Sequence, residues 1–369
     1  MTDATGPLTG LVVADFSRVL AGPYATMMLG DMGADVIKIE RPGSGDDTRF
    51  WGPPYDSAGT ATYFNSVNRN KTSRCIDLQS ESGVAEAREI VAGADIVIEN
   101  FRAGTMDRLG LGYSAVAQTN PGLIYCSITG FGTGGGAALP GYDLVVQAVG
   151  GLMSVTGPDA STPTKVGVAI VDIVTGLHAL SGILAALHHR SNTGEGQQVH
   201  TSLMASVLSA LSNQSAAYLG AGTVPVPMGN KHPSLVPYEV FETADRPLAL
   251  AVGNDRQFQA LVDVLGTPDV AADQRFSSNS ARVEHRDQLV DILNSALRTR
   301  TADDWYRELM ARNVPAGPVN SIEEAFAFAE LLGLEPRVEV PGAAAEGVRN
   351  PVDFSATPVN YRLPPPALA

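Results

Sequence analysis

The 369-residue chain has only two cysteines, Cys75 and Cys126, each in an apolar, strand-like stretch. So low a count excludes a disulfide framework and points to a reducing compartment. Cations are scarce too: 25 Lys and Arg stand against 39 Asp and Glu, a formal net charge of −14. Partnership with nucleic acid or with an anionic membrane surface is therefore not expected. Low-complexity tracts and internal repeats are missing. With 44% hydrophobic and 17% charged residues the chain can bury a sizeable core, and its length suggests two domains. The start, Met1-Thr-Asp-Ala-Thr-Gly-Pro, has neither a basic n-region nor an apolar h-region, so no secretory leader and a cytoplasmic location are expected.

Several catalytic signatures are absent. No Gly-x-Gly-x-x-Gly follows the first strand candidate, where Ser17-Arg18-Val19-Leu20-Ala21-Gly22-Pro23 stands instead, so nothing implies a dinucleotide. There is no Gly-x-Ser-x-Gly elbow, no His-x-x-x-His pair and no Cys-x-x-Cys. A serine hydrolase and a metal centre are thus not expected.

What is present is an alternation of strands and helices. Leu11–Phe16, Asp35–Glu40, Ser73–Ile76, Ile96–Ile98 and Leu123–Ile128 read as strands. Helices are expected from Ala21, with Pro23 in the first turn, and over Glu81–Ala92. This order predicts an α/β fold with a Rossmann-like, doubly wound parallel sheet. The run Val168–Leu187 has the length of a membrane span. It contains Asp172, Gly176 and His178 and lacks interfacial aromatics, so it is expected to be a central, buried core helix. A large domain over 1–205, a linker over 206–228, a small α/β domain over 229–318 and a returning segment over 319–369 complete the expected organisation.

Two features bear on chemistry. Arg18, Arg41, Lys71, Arg74, Arg102 and Arg108 fall in the first third, several just past the carboxyl ends of strand candidates. Ligands bind at that edge of an open parallel sheet, and such cations suit phosphates. The glycine-rich run Gly130–Gly136 reads as a flexible connection. The second feature is Asp172, alone in Val-Ala-Ile-Val-Asp-Ile-Val-Thr-Gly-Leu. A carboxylate in an apolar run needs partners or a purpose. From the pattern alone it is either a helix N-cap or a chemical group.

Taken together, the blocks Ala21-Gly-Pro, Gly33-Ala-Asp-Val-Ile-Lys-Ile-Glu-Arg-Pro, Gly45-Asp-Asp-Thr-Arg, Asn68-Arg-Asn-Lys, Glu99-Asn-Phe-Arg-x-Gly-Thr, Gly141-Tyr-Asp-Leu and Val314-Pro-Ala-Gly-Pro-Val resemble, in order and spacing, the family III CoA-transferases. The resemblance covers nearly the whole chain. It implies that Asp172 is the catalytic nucleophile. It implies a CoA site built from Val19, Leu20, Ala21, Arg41, Asn100, Phe101, Arg108 and Tyr142, with Lys71 and Arg74 as phosphate or adenine neighbours. Coenzyme A and acyl-CoA enter as substrates beside a carboxylic acid; no tightly bound cofactor and no metal are implied. A ring-shaped chain in an interlocked homodimer is implied as well. Racemases acting on α-methylacyl-CoA share the fold but use a histidine in Gly-His-Asp, where this chain has Gly141-Tyr142-Asp143. Met204, Met228 and Val236 suggest an aliphatic or aromatic acyl group, and Gly229-Asn-Lys-His-Pro is expected to close over the site.

Overall fold

The computed structural model describes residues 5–369; the start of the chain, where no secretory leader is expected, lies in part outside the described residues. The chain divides into two compact units. Among the described residues the first comprises 5–153, 165–225 and 335–369, and the second 154–164 and 226–334.

The first unit is built on six parallel strands: β1 (Val12–Asp15), β2 (Asp35–Glu40), β3 (Lys71–Cys75), β4 (Ile96–Glu99), β5 (Ile124–Thr129) and β6 (Gln198–Ser202). Their spatial order is β3-β2-β1-β4-β5-β6, the doubly wound order whose direction of winding reverses between β1 and β4. Burial explains the composition. Central β4 is Ile-Val-Ile-Glu and wholly buried, whereas edge strand β3 is Lys-Thr-Ser-Arg-Cys and alternates.

Helices α1 (Ala21–Asp31), α2 (Glu81–Ala92), α3 (Asp143–Val149), α4 (Ile170–Thr193), α5 (Leu203–Ala210) and α6 (Ser212–Ala221) cover the sheet or extend from it. α1 is buried at every residue but Tyr24, because α4 lies over it. Gly176 permits the contact: a Cβ there would stand 2.6 Å from the Ala21 carbonyl oxygen. α4 is a core helix buried along one face. Only the stripe Val171, Thr175, Gly176, Ala179, Leu180, Ile183 and Ala186 is buried, at the three- and four-residue spacing of one helix face. Leu177 on the other side is 39% exposed. α4 is long and apolar enough to cross a membrane by length and composition alone, but here its small-residue stripe packs on α1. The expected linker over 206–228 is corrected: residues through Ala221 continue as α5 and α6 within the first unit.

The second unit has a three-stranded antiparallel sheet, β7 (Tyr238–Phe241), β8 (Leu248–Ala251) and β9 (Ala316–Pro318), in the order β7-β8-β9. Helices α7 (Asp255–Val264), α8 (Arg286–Leu297), α9 (Ala302–Ala311) and α10 (Ile322–Leu331) accompany it, and Phe241, Phe258, Leu289 and Trp305 share its core.

The returning segment is fastened to the first unit through a buried carboxylate. Asp31, at the end of α1, accepts from Arg69 Nε at 2.9 Å and Nη2 at 2.6 Å, from Asn70 Nδ2 at 2.8 Å and from Asn350 Nδ2 at 3.0 Å. Its carbonyl accepts from the Asn360 amide, and the Asn70 amide donates to the Leu363 carbonyl.

Candidate active site

Three loops leave the carboxyl ends of β1, β4 and β5 beside the point where winding reverses, and a cavity of about 270 Å³ opens among them. Seven residues expected from the sequence line it: Val19, Leu20 and Ala21 after β1, Asn100 and Phe101 after β4, Tyr142 before α3, and Asp172 in α4. The placement follows from topology, since an open parallel sheet leaves a crevice there.

Asp172 is the third residue of α4, not its N-cap, which is Ala169. The capping task falls to Asp143 across the turn. Its Oδ1 accepts from the Val171 amide at 2.8 Å and the Asp172 amide at 3.3 Å, satisfying donors that an α-helix leaves open at its first turn. Gln147 donates to the other Asp143 oxygen at 2.6 Å. Among the described residues none donates to the Asp172 carboxylate. Burial, and then the neighbouring Asp143 charge, push its pKa up to about 7. Tyr63 lies in the same field. Burial and the carboxylates of Asp172, Asp143 and Asp46 raise its phenol to about 12, so it stays neutral among three acids.

The β1–α1 loop is held from several sides. Asn100 Oδ1 accepts from the Arg18 amide at 2.9 Å and its Nδ2 donates to the Arg18 carbonyl at 2.7 Å. Asn100 therefore shapes the wall as well as lining it. Arg18 lies over the Phe101 ring at 5.0 Å and stands 3.7 Å from Asp47 Oδ2. Gly130 and Gly141 pinch the β5 loop: a Cβ on Gly130 would stand 2.6 Å from Gly141 Cα. The glycine-rich run is thus part of the cavity wall, with Gly130, Gly132 and Gly136 lining it.

Four expected cations lie outside the lining. Lys71 is corrected outright. It is buried, and its Nζ donates to the Pro23 carbonyl at 2.9 Å, to Asn68 Oδ1 at 3.0 Å and to Asp15 Oδ2 at 3.2 Å. With its three donors occupied it cannot meet a phosphate. Burial lowers its pKa to about 8 against the pull of Asp15. Arg74 is exposed on edge strand β3. Arg108 is exposed and donates to Thr105 Oγ1 at 3.0 Å. Arg41 touches the site only through Asp47, at 2.6 Å. Arg18 and Arg102 line the cavity instead.

The family model for CoA-transferase family III matches residues 8–369. The chain belongs to CoA-transferase family III. The transferase is 45% identical to a succinate–glutarate CoA-transferase of Agrobacterium fabrum, over 100% of this chain and 94% of that one. It is 40% identical to the human succinyl-CoA:glutarate CoA-transferase, over 98% and 83% of the two chains. A CAIB/BAIF family protein from Brucella suis has the same fold, with a TM-score of 0.89 and 42% identity across 99% of this chain and 97% of its own. The transferase therefore moves CoA from an acyl-CoA donor to a carboxylic acid.

Proposed function

We propose that Asp172 carries the transfer covalently and that the acids exchanged are short dicarboxylic acids. The observation that carries the first part is a partly buried carboxylate, with no hydrogen-bond donor on it among the described residues, in the wall of the cavity at the switch point. Its raised pKa makes it a stronger base, hence a better nucleophile once ionised.

Ionised Asp172 attacks the thioester carbonyl; the C–S bond breaks, leaving a mixed anhydride and CoA thiolate. The thiolate attacks the aspartyl carbonyl, the donor acid leaves as carboxylate, and an aspartyl-CoA thioester remains. The acceptor carboxylate attacks that carbonyl and displaces thiolate, which then takes the new acyl group and restores Asp172. Thioester energy is conserved, so ATP has no part. Main-chain amides of the cavity wall are the donors available to each tetrahedral oxyanion. Keeping water out protects the two activated aspartyl states from hydrolysis.

Arg18 and Arg102 in the lining, and relatives named for succinate and glutarate, support a dicarboxylic acid pair. This replaces the apolar acyl group expected from Met204, Met228 and Val236. Val236 is wholly buried in the second unit's core, and Met204 packs on the first unit's core. No histidine lines the cavity among the described residues, which favours transfer over α-proton exchange. Arg41 and Arg108 are assigned to the CoA phosphates.

The free thiols of Cys75 and Cys126 suit the cytoplasm. The uncovered apolar side chains Leu177, Leu208, Tyr218 and Leu219 suit a homodimer, and a chain that leaves the first unit after Pro225 and re-enters it at Glu335 suits an interlocked one.

Trapping tests the mechanism. Hydroxylamine or borohydride added during turnover with succinyl-CoA should modify the peptide containing residue 172. Modification confined to any other peptide would remove the proposal.

A further inference from the structure

Val19 has a φ of 70°. A β-branched residue in the left-handed region is a genuine outlier, stable only when its surroundings impose it. The surroundings here are specific. The Val19 amide is shared between the two oxygens of Asp46, at 3.4 and 3.3 Å. Asp46 Oδ2 also accepts from Lys38 Nζ at 2.8 Å, and Lys38 donates a second bond to the Ser17 carbonyl at 3.0 Å. Both side chains of the pair have no solvent exposure. Thr48 completes the shell, its amide and hydroxyl reaching Asp46 Oδ1 at 3.0 and 2.7 Å. Successive residues Ser17, Arg18 and Val19 are thus each held by a side chain from a different part of the sheet edge: Lys38, Asn100 and Asp46.

Neither Lys38 nor Asp46 lines the cavity, whereas Arg18, Val19, Leu20 and Ala21 all do. An isolated buried ion pair is not needed to stabilise a core, and apolar replacements of similar volume often serve as well. What this pair does that an apolar pair could not is supply an anion for an amide in a strained turn.

We propose that Lys38 and Asp46 are positioning residues for the transfer reaction. They hold Val19 in its left-handed conformation and so fix where the Val19–Ala21 wall stands relative to Asp172. The proposal rests on the reading of Asp172 as the acylated residue. Displacement of a reacting group's surroundings by an ångström can cost about a hundredfold in rate, so the pair acts on kcat more than on KM.

The decisive variant is Lys38→Met combined with Asp46→Leu, which removes both buried charges together. The expected result is a folded protein with kcat at least about tenfold lower and KM for succinyl-CoA within about threefold of wild type. Asp46→Asn keeps an acceptor for the Val19 amide and should retain more of kcat than the double variant. A double variant that folds and turns over at the wild-type rate overturns the proposal. Should the double variant not fold, Asp46→Asn alone and together with Val19→Gly decides, because glycine adopts this φ without strain and needs no clamp. Asp46→Asn should fold and lose kcat about threefold or more, and adding Val19→Gly should recover most of that loss; wild-type kcat in Asp46→Asn, or no recovery on adding Val19→Gly, overturns the proposal. The single-turnover rate of adduct formation at residue 172 separates the two readings. Absence of the adduct in wild type removes the Asp172 mechanism, whereas equal rates in wild type and variant remove only the role of the pair.

Discussion

Asp143 holds the backbone of Asp172 while discouraging its side chain from ionising. One oxygen of Asp143 accepts from the amides of Val171 and Asp172, and the charge on that carboxylate helps raise the Asp172 pKa to about 7. Position and basicity of one residue are therefore set by the same neighbour.

A pH profile should display this coupling. The nucleophile is the ionised form, so kcat/KM for succinyl-CoA is expected to climb with pH and level off above about 7. Asp143→Asn keeps an acceptor for the helix amides but removes the charge. Its inflection should move to lower pH, with burial alone still holding it above the ordinary carboxyl value of 3.8. An unmoved inflection would show that Asp143 does not tune the group.

Asp172→Asn should lose turnover by about a thousandfold or more while CoA affinity, measured by calorimetry, stays within about threefold. The same variant should be more heat-stable than wild type at pH 8. A carboxyl with a folded pKa above its unfolded one contributes stability that is complete below 3.8 and lost as pH rises through about 7. Asparagine carries no such loss, so the Tm difference between the two proteins should shrink on acidification to pH 5. A constant difference would contradict the pKa assigned.

Lys71 provides a contrast among the cations. Lys71→Met strands the buried Asp15 carboxylate, which also accepts from Ser17 and Thr26. The expected cost is about 3–5 kcal/mol of folding free energy, read as a lower urea midpoint. At a temperature where the variant remains folded, KM for acyl-CoA should be unchanged. A rise in KM without loss of stability would return Lys71 to the ligand site.

Gly176→Ala places a methyl against the Ala21 carbonyl. Helices α1 and α4 must separate slightly, at an expected cost of about 1–3 kcal/mol by denaturant unfolding. Because Ala21 and Asp172 ride on those helices, kcat should fall as well, and Gly182→Ala, which meets only the Val199 side chain, should affect kcat less.

A doubly wound parallel sheet with a ligand edge at its strand ends could be read from the chain because it depends on local alternation and on a rule about strand ends. Val19, Leu20, Ala21, Asn100, Phe101 and Tyr142 are implied by the family resemblance alone, and the fold sets them in the wall of one cavity. Residues whose partners are remote in sequence could not be read from the chain. In Asn68-Arg-Asn-Lys the cations suggested phosphate, yet Lys71 answers to Asp15 and Arg69 to Asp31, partners that only the folded sheet brings near. Gly130–Gly136 reads in sequence as a slack connection; its density of glycine just past a strand end is the signal that it forms a cavity wall. Asp143 was passed over because a carboxylate that caps a helix starting 27 residues later leaves no local trace.

The Asp31 fastening has a topological consequence. Residues 226–334 are an insertion whose two ends are rooted in one body, the later end tied down through Arg69, Asn70 and Asn350. A single proteolytic nick within that insertion would sever the polypeptide without freeing either half, because both fragments contribute to one buried polar cluster. The continuity of the molecule there depends on a carboxylate and its amide and guanidinium neighbours as much as on the peptide backbone.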